Sequence, residues 1–417
     1  MSATRVVAVG VLAVSLALAG AHPALAAAGD LDPSFDGDGK VTTSMGADAA
    51  GASVAIQADD RIVVAGQATV GGRSRFALTR YVTIGTLDPT FGGDGKVSTV
   101  VGTNASAEAV AIQSDGKIVA AGGADPHGFA LVRYGSDGTL DDTFGGDGKV
   151  TTVIGDADAA HANAVVLQSD GKIVAAGQTQ VGGEDRFALA RYNTDGTLDD
   201  TFGEDGRVTT SFGPIADAYG VAIQSNDKIV AAGRALVGAH YRFALARYRS
   251  DGTRDDTFGG DGTVTTLIGP VASLGHAVAI QSNGKIVVGG SKQNGMALAV
   301  ARYDSDGTLD DTFSDDGVAT TPVGSTPQTN AMAIQGDGKI VLAGYARFDN
   351  RPRFVLARFD TGGTLDETFS GNGKTTTKIG VGSLARGVAL QSDGRIVAAG
   401  YVASSHERIA VARYLGA

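Results

Sequence analysis

The sequence predicts an all-β protein: a seven-bladed β-propeller of four-stranded antiparallel blades, its ring closed by the N-terminal strand completing the last blade. Three observations carry this expectation. A segment recurs at a near-constant spacing, each repeat contains two tight Asp-Gly turns, and the two chain ends supply complementary strands.

The recurring segment is clearest as Asn193-Thr194-Asp195-Gly196-Thr197-Leu198-Asp199-Asp200-Thr201-Phe202-Gly203-Glu204-Asp205-Gly206. Related copies begin at Gly29, Ile84, Ser136, Ser250, Ser305 and Thr361, which makes seven. One motif position holds Leu31, Leu87, Leu140, Leu198, Arg254, Leu309 and Leu365, at steps of 56, 53, 58, 56, 55 and 56 residues. A fixed period of this size signals a solenoid or a propeller. A solenoid needs distinct polar end caps, and the sequence offers none.

Composition agrees with many short strands joined by turns. Gly numbers 62, Pro only 9, and aromatic residues make up 6% of the 417. The net charge of −11 disfavours nucleic acid, whose phosphates need clustered Lys and Arg. There is no Cys, so disulfides and thiolate metal sites are excluded. Residues 1–26 read as a secretory signal peptide: Arg5 in a positive n-region, an apolar run from Val6 to Ala19, and a small-residue cleavage site at Ala24-Leu25-Ala26. The apolar run is short for a membrane span. Residues 27–417 are then expected to be the propeller, secreted, without membrane insertion, and monomeric.

The third repeat reads as four strands. Strand A is Asn163–Gln168, strand B is Lys172–Gly177, a variable loop covers Gln178–Asp185, and strand C is Arg186–Tyr192. Strand D is expected to start at Thr197 and run through Phe202 to Thr210. The A–B link Ser169-Asp170-Gly171 and the C–D link Thr194-Asp195-Gly196 have the form of a type I turn with glycine at positive φ, closing a three-residue hairpin. The chain ends at Tyr414 to Ala417 directly after a strand C, while Leu31 to Thr43 reads as a strand D with no partners before it. The N-terminal strand is therefore expected to complete the last blade and remove two exposed edges.

Some residues are common to all repeats. Arg recurs near the end of strand C (Arg191, with Arg413 last) and Asp recurs two residues into strand D (Asp199, with Asp32 first). Across a three-residue turn Arg191 lies opposite Asp199, and opposite charges across a ladder stabilise it. The pair Asp32 and Arg413 is expected to close the ring. A ring of anion sites is the functional alternative for these arginines, and cross-strand pairing is preferred. Phe35 and Phe202 represent a recurrent Phe expected in the core between blades, and Gln168 a recurrent amide ending strand A. Gly-Gly-Asp-Gly segments invite a calcium reading, but only Asp36 with Asp38 and Asp315 with Asp316 offer more than one carboxylate, and Ca²⁺ needs six to eight oxygens. Turn chemistry accounts for them better, and no cofactor is expected.

Strand alternation puts the B–C and D–A loops at one end of the propeller and the regular Asp-Gly turns at the other. Variable loops on a rigid scaffold are the usual place for binding. The candidate binding face comprises Phe212, Tyr219, His240, Tyr241, Tyr345, Phe348, Tyr401 and His406, with His127, His161 and His276 at the same end. Aromatic side chains with a polar handle suit contact surfaces; loop packing is the plainer alternative. Catalytic signatures are missing: there is no HExxH, no GxSxG and no P-loop.

The unit G-T-L-D-x-T-F-G-x-D-G-K-V, A-V-A-I-Q-S-D-G-K-I-V-A-A-G, R-F-A-L-A-R-Y resembles the bacterial delta-60 repeat, a propeller-type family of unassigned function, over residues 29–417. Its strand order also resembles NHL-type propellers. The resemblance implies a secreted or surface-associated propeller and supplies no catalytic residues. Departures are Arg254 for Leu, Ala319 and Thr375 for Val, and Ile409 for Phe. The expected function is a non-catalytic secreted propeller that binds a protein or a surface glycan through its variable face. An extracellular lyase or hydrolase at the channel mouth is one alternative, marked by convergent His and carboxylates there; a purely structural envelope protein is the other.

Overall fold

Each blade follows from a simple gradient of burial. Strands B and C carry unbroken apolar runs, Ile173 to Gly177 and Phe187 to Ala190 in the third repeat, and both runs are buried on their two faces. Such strands belong in the middle of a sheet that is itself packed on both sides. A computed structural model describes residues 26–416 apart from 127, 157–159 and 293–296. It forms seven four-stranded antiparallel sheets, each in the order A–B–C–D from the central channel outward. The expected signal peptide lies outside the described residues but for Ala26.

Blade three runs through His161–Leu167, Ile173–Val181, Glu184–Tyr192 and Arg207–Thr210. Two expectations about its elements are corrected. The stretch 178–185 is not a loop: strands B and C continue through it as a hairpin closed by Gly182 and Gly183, with φ of 62° and 82°. Positive φ at both positions is the two-residue turn that matches strand twist, and it selects glycine. Strand D is shorter than expected. Leu198 makes a single bridge to Tyr192, the chain then turns twice, and pairing resumes only at Arg207. The reason is local hydrogen bonding, since the Asp199 carboxylate caps the turn at Thr201 and the Phe202 carbonyl accepts from Gly206 at 2.8 Å.

The last blade is completed by the first residues. Its sheet contains Ser383–Leu390, Ile396–Val402, Arg408–Tyr414 and, as outer strand, Lys40–Thr43. Lys40 pairs with Ala412 and Thr43 with Ile409. Upstream, Leu31 bridges Tyr414, and the Asp32 amide donates to the Arg413 carbonyl at 2.9 Å.

The core is divided into seven clusters, one for each contact between neighbouring blades. One joins Val174, Ala176 and Leu189 of blade three to Ala218, Ile229 and Ala244 of blade four. Another joins Val397 and Val411 of the last blade to Ile62 and Val64 of the first, so apolar packing is continuous round the ring. A buried tyrosine near the end of strand C crosses six of the seven contacts. Tyr192 donates to Thr152 of the preceding blade at 2.8 Å, and Tyr81, Tyr134, Tyr248, Tyr303 and Tyr414 repeat the bond at 2.7–2.9 Å. A buried phenol needs such a partner.

Candidate functional site

One residue in every strand A breaks the ladder. In blade three Ala162 pairs with Gly177 and Ala164 with Ala176, leaving Asn163 as an extra residue with no partner. This is a β-bulge, which bends a strand and re-aims a side chain. The cause is visible across the ladder, because a Cβ on Gly177 would lie 1.8 Å from the His161 carbonyl oxygen. Only glycine lets the two backbones approach so closely. All seven blades share the irregularity. The bulged residues are Ala52, Glu108, Asn163, Tyr219, His276, Asn330 and Arg386, and together they line one cavity of about 390 Å³ at the mouth of the channel. Arg234, Leu274 and Gln328 complete its wall. Next to it along the channel a further cavity is lined by the same bulge residues with Ser53 and Gly220 and by the apolar Val54, Val221 and Met332.

The wall is a polar network. Arg234 donates through Nε to Asp217 Oδ2 at 2.6 Å, and the Tyr219 hydroxyl donates to the same oxygen at 3.4 Å. The Arg234 guanidinium lies 5.6 Å from the Tyr219 ring centre and 5.1 Å from that of Tyr241, while the His276 ring sits 5.2 Å from Tyr219 on a tilt of 31°. Burial, with the Asp217 charge beside it, pushes the Tyr219 phenol up to about 12. Burial, then the Arg234 charge, pushes the His276 imidazole down to about 4, so it is neutral at pH 7. His276 Nδ1 is buried without a partner among the described residues. Asn163 donates to Gln178 Oε1 at 2.7 Å and to the Ala218 carbonyl of the next blade at 2.8 Å; Asn330 donates to Ala385 O at 2.6 Å. Each amide therefore keeps its own carbonyl oxygen for another donor.

The sequence-derived face divides into three groups. Tyr219 lies on the bulge ring itself. Tyr241, Tyr345 and Tyr401 lie on strands just outside it: Tyr345 donates to Gln328 Oε1 at 2.8 Å, and the Arg386 guanidinium is 5.9 Å from the Tyr401 ring centre. Phe212 and Phe348 instead pack against the core, Phe212 at 4.8 Å from Phe187. His240 is half-buried at the start of strand C, and exposed His406 faces Asp48 at 3.8 Å, outside the cavity. His127 lies outside the described residues. The remaining ring members (Glu108, Asn163, Asn330, Arg386 and Ala52) are not in the sequence-derived face, and His276 is there only as one of several histidines. One signal marks them all: each lies five residues before the glutamine that ends strand A.

The residues common to all repeats are used differently. Arg191 Nε and Lys172 Nζ meet Asp199 Oδ2 at 2.7 and 2.8 Å, Arg191 Nη2 donates to Thr201 at 3.2 Å, and Nη1 donates to the Ser250 carbonyl of the next blade. The guanidinium also sits 4.7 Å from the Phe202 ring centre. Burial alone would raise the Asp199 carboxyl; Lys172, Thr201 and Arg191 override it and hold it well below the usual carboxylate range. Arg413 Nε meets Asp32 Oδ2 at 2.9 Å, and its Nη1 reaches the Thr83 carbonyl of the first blade. A second cavity of about 360 Å³, at the Asp-Gly end between blades three and four, is walled by this same apparatus, including Lys172, Arg191 and Thr201. In the Gly-Gly-Asp-Gly segments Asp38 and Asp316 accept backbone amides at 3.0 and 2.9 Å. No group of three or more metal-ligating side chains occurs among the described residues.

The fold and its central cavity define a seven-bladed β-propeller with one individual site on a uniform frame. The chain belongs to the DUF5122 β-propeller family, a domain of unknown function, whose profile matches residues 57–91, 113–144, 168–202, 224–258, 281–313, 335–369 and 391–416. Each matched unit begins at or beside the glutamine that ends strand A, so the bulge column falls outside the matched stretches. No curated protein matches the chain. Among solved structures it is similar to Kuenenia stuttgartiensis hydrazine synthase, with a TM-score of 0.51 at 12% identity over 88% of this chain and 96% of that one. Sqt1 from Chaetomium thermophilum gives 0.49 at 12% identity, covering 90% and 97%. The polysaccharide lyase Uly1 gives 0.48 at 13%, covering 88% and 90%. At these identities the likeness is one of fold.

Proposed function

We propose that this protein is a secreted, non-catalytic binding protein that holds a unit of a surface glycan in the channel mouth, as a delta-60-type propeller of the NHL-like kind. The observation that carries the reading is the bulge column. In a chain built from near-copies, one position per blade takes six residue types over seven blades, and all seven converge on one cavity. Its lining suits sugar hydroxyls, which donate and accept at once. The free amide oxygens of Asn163 and Asn330, the Glu108 carboxylate, the Arg386 guanidinium and a neutral imidazole offer both roles at close spacing. Secretion is supported by the signal-like residues 1–26. The site sits at the variable end, further inward than a loop-based face.

The test is a plug. Ala52 is the one small side chain in the ring, and Ala52→Trp fills the cavity without removing any polar group. Titration calorimetry against a panel of saccharides is expected to show binding by the unaltered protein and loss of at least 100-fold in the variant, with the melting temperature preserved. Equal affinity in both proteins places the ligand elsewhere and overturns the reading. A second reading, an enzyme acting on the same ligand, is favoured by the convergence of His276, Tyr219 and Glu108 in one cavity. New reducing ends or unsaturated products accumulating during the titration, and absent with His276→Ala, would select it.

A further inference from the structure

Two charged groups in the mouth have no protein partner. Arg234 is tied to Asp217, and the repeat arginines to their aspartates. By contrast, neither the Arg386 guanidinium nor the Glu108 carboxylate makes an ion pair or hydrogen bond among the described residues; Arg386 lies 5.9 Å from the Tyr401 ring centre and shares a notch with Glu407 without bonding to it. They stand on blades seven and two, either side of blade one, which contributes Ala52. A methyl group at that point leaves a notch of about 240 Å³ that shares Ala52, Glu108 and Arg386 with the main cavity. Glu407 and Gln67 face into it as well. The notch therefore collects two carboxylates on one side of Arg386. On the other side, the main cavity adds the Arg234 guanidinium and a neutral His276.

We propose that the channel mouth selects a zwitterionic saccharide unit, one bearing both an amine and a carboxylate, with the ammonium in the notch against Glu108 and Glu407 and the carboxylate on Arg386. This deepens the glycan reading and rests on it. A neutral sugar leaves both charges of the site unmatched. A purely acidic sugar meets Glu108 and Glu407 as like charges, and a purely basic one meets Arg386 and Arg234. Only a ligand with both groups converts the two unpaired charges into charge-assisted hydrogen bonds, and opposed like charges reject the rest. Burial, with the neighbouring Asp48 charge, raises the Glu407 carboxyl although Arg386 acts the other way, and a cation bound in the notch would relieve the remaining pressure.

Titration calorimetry of the full chain at pH 7 with glucose, glucuronic acid, glucosamine and muramic acid tests the proposal, muramic acid being an amino sugar with a carboxylate side arm. Muramic acid is expected to bind at least tenfold more tightly than the other three. Glu108→Gln should reduce it to the level of glucuronic acid, and Arg386→Met to that of glucosamine, with melting temperatures preserved because both side chains reach into the channel rather than the core. Equal binding of all four sugars, or preference for glucuronic acid untouched by Glu108→Gln, overturns the zwitterion and leaves the glycan site standing. No binding by any saccharide overturns both. The ranking in the unaltered protein decides the matter even if a variant misfolds.

Discussion

Phe359 occupies the position where six other blades carry the inter-blade tyrosine. Its blade therefore lacks the hydroxyl that meets a threonine of the preceding blade, and that threonine, Thr321, is buried with an oxygen that has no partner. A buried hydroxyl left unsatisfied costs free energy, whereas a made hydrogen bond contributes about 1 kcal/mol. Phe359→Tyr is expected to add that amount and raise the melting temperature by a degree or two. Tyr192→Phe should do the reverse by orphaning Thr152. Denaturant titration of both variants checks the pair. At this scale the sequence was readable wherever a residue repeated: the Arg–Asp spacing placed Arg191 opposite Asp199 because a three-residue turn fixes register. It was unreadable where meaning lay in a difference between copies, as with Phe359, since a single aromatic exchange looks conservative until its partner is known.

Among elements, the N-terminal segment is paired much as the other outer strands are, with four paired residues and one bridge, although it joins the far end of the chain. Side chains reinforce this join. Arg413 and Arg395 both meet the Asp32 carboxylate, at 2.9 and 2.7 Å, and Ser34 donates to it at 2.7 Å. Asp32→Ala leaves two guanidiniums facing each other, one of them buried. The expected cost is about 3 kcal/mol, with faster hydrogen exchange over residues 28–43 than in the other outer strands. Unchanged exchange there would show that apolar packing alone closes the ring. The bulged strand is the element the sequence reading missed, and it holds the candidate site. The clue was present in the glycine ending each I-V-A-A-G run: it reads as the end of strand B, yet strand B continues through it. Glycine there marks a close backbone approach rather than a terminus. Apart from Phe212, the aromatic residues read as loop residues lie on strands, and Tyr241, Tyr345 and Phe348 do so because paired turns shorten their B–C connections to two residues.

For the whole molecule, seven aspartates of strand D act in concert. In Asp32, Asp88, Asp141, Asp199, Asp255, Asp310 and Asp366 burial alone would raise the carboxyl, but hydrogen bonds and the neighbouring cations hold each below the usual range, to about 2 for Asp366. In the unfolded chain they titrate near 3.9, roughly the model-peptide value. Between those values the unfolded state binds more protons, so stability falls as pH falls. The contribution is complete above about pH 4 and is lost as pH drops through the folded values. A steep acid transition is expected there, followed by circular dichroism. His276, with a folded value of about 4 against an ordinary 6.5, adds a shallower slope of the same sign between those two values, and His276→Asn should remove it. The blade count and ring closure were legible from periodicity and chain ends; the cavity was not, because it exists only once seven separate strands are brought round one axis.

The bulge has a consequence for how such a molecule changes. Contacts between blades rest mainly on buried apolar side chains and the recurrent Arg, Phe and Tyr away from the axis, while the bulged side chains line the cavity at the axis, with Asn163 and Asn330 also reaching the next blade. Recognition is thus spelled in seven letters, one per repeat, each replaceable without rewriting the frame that displays it. A lineage of such chains can drift from one ligand to another by single exchanges, keeping the same walls and altering only the lock.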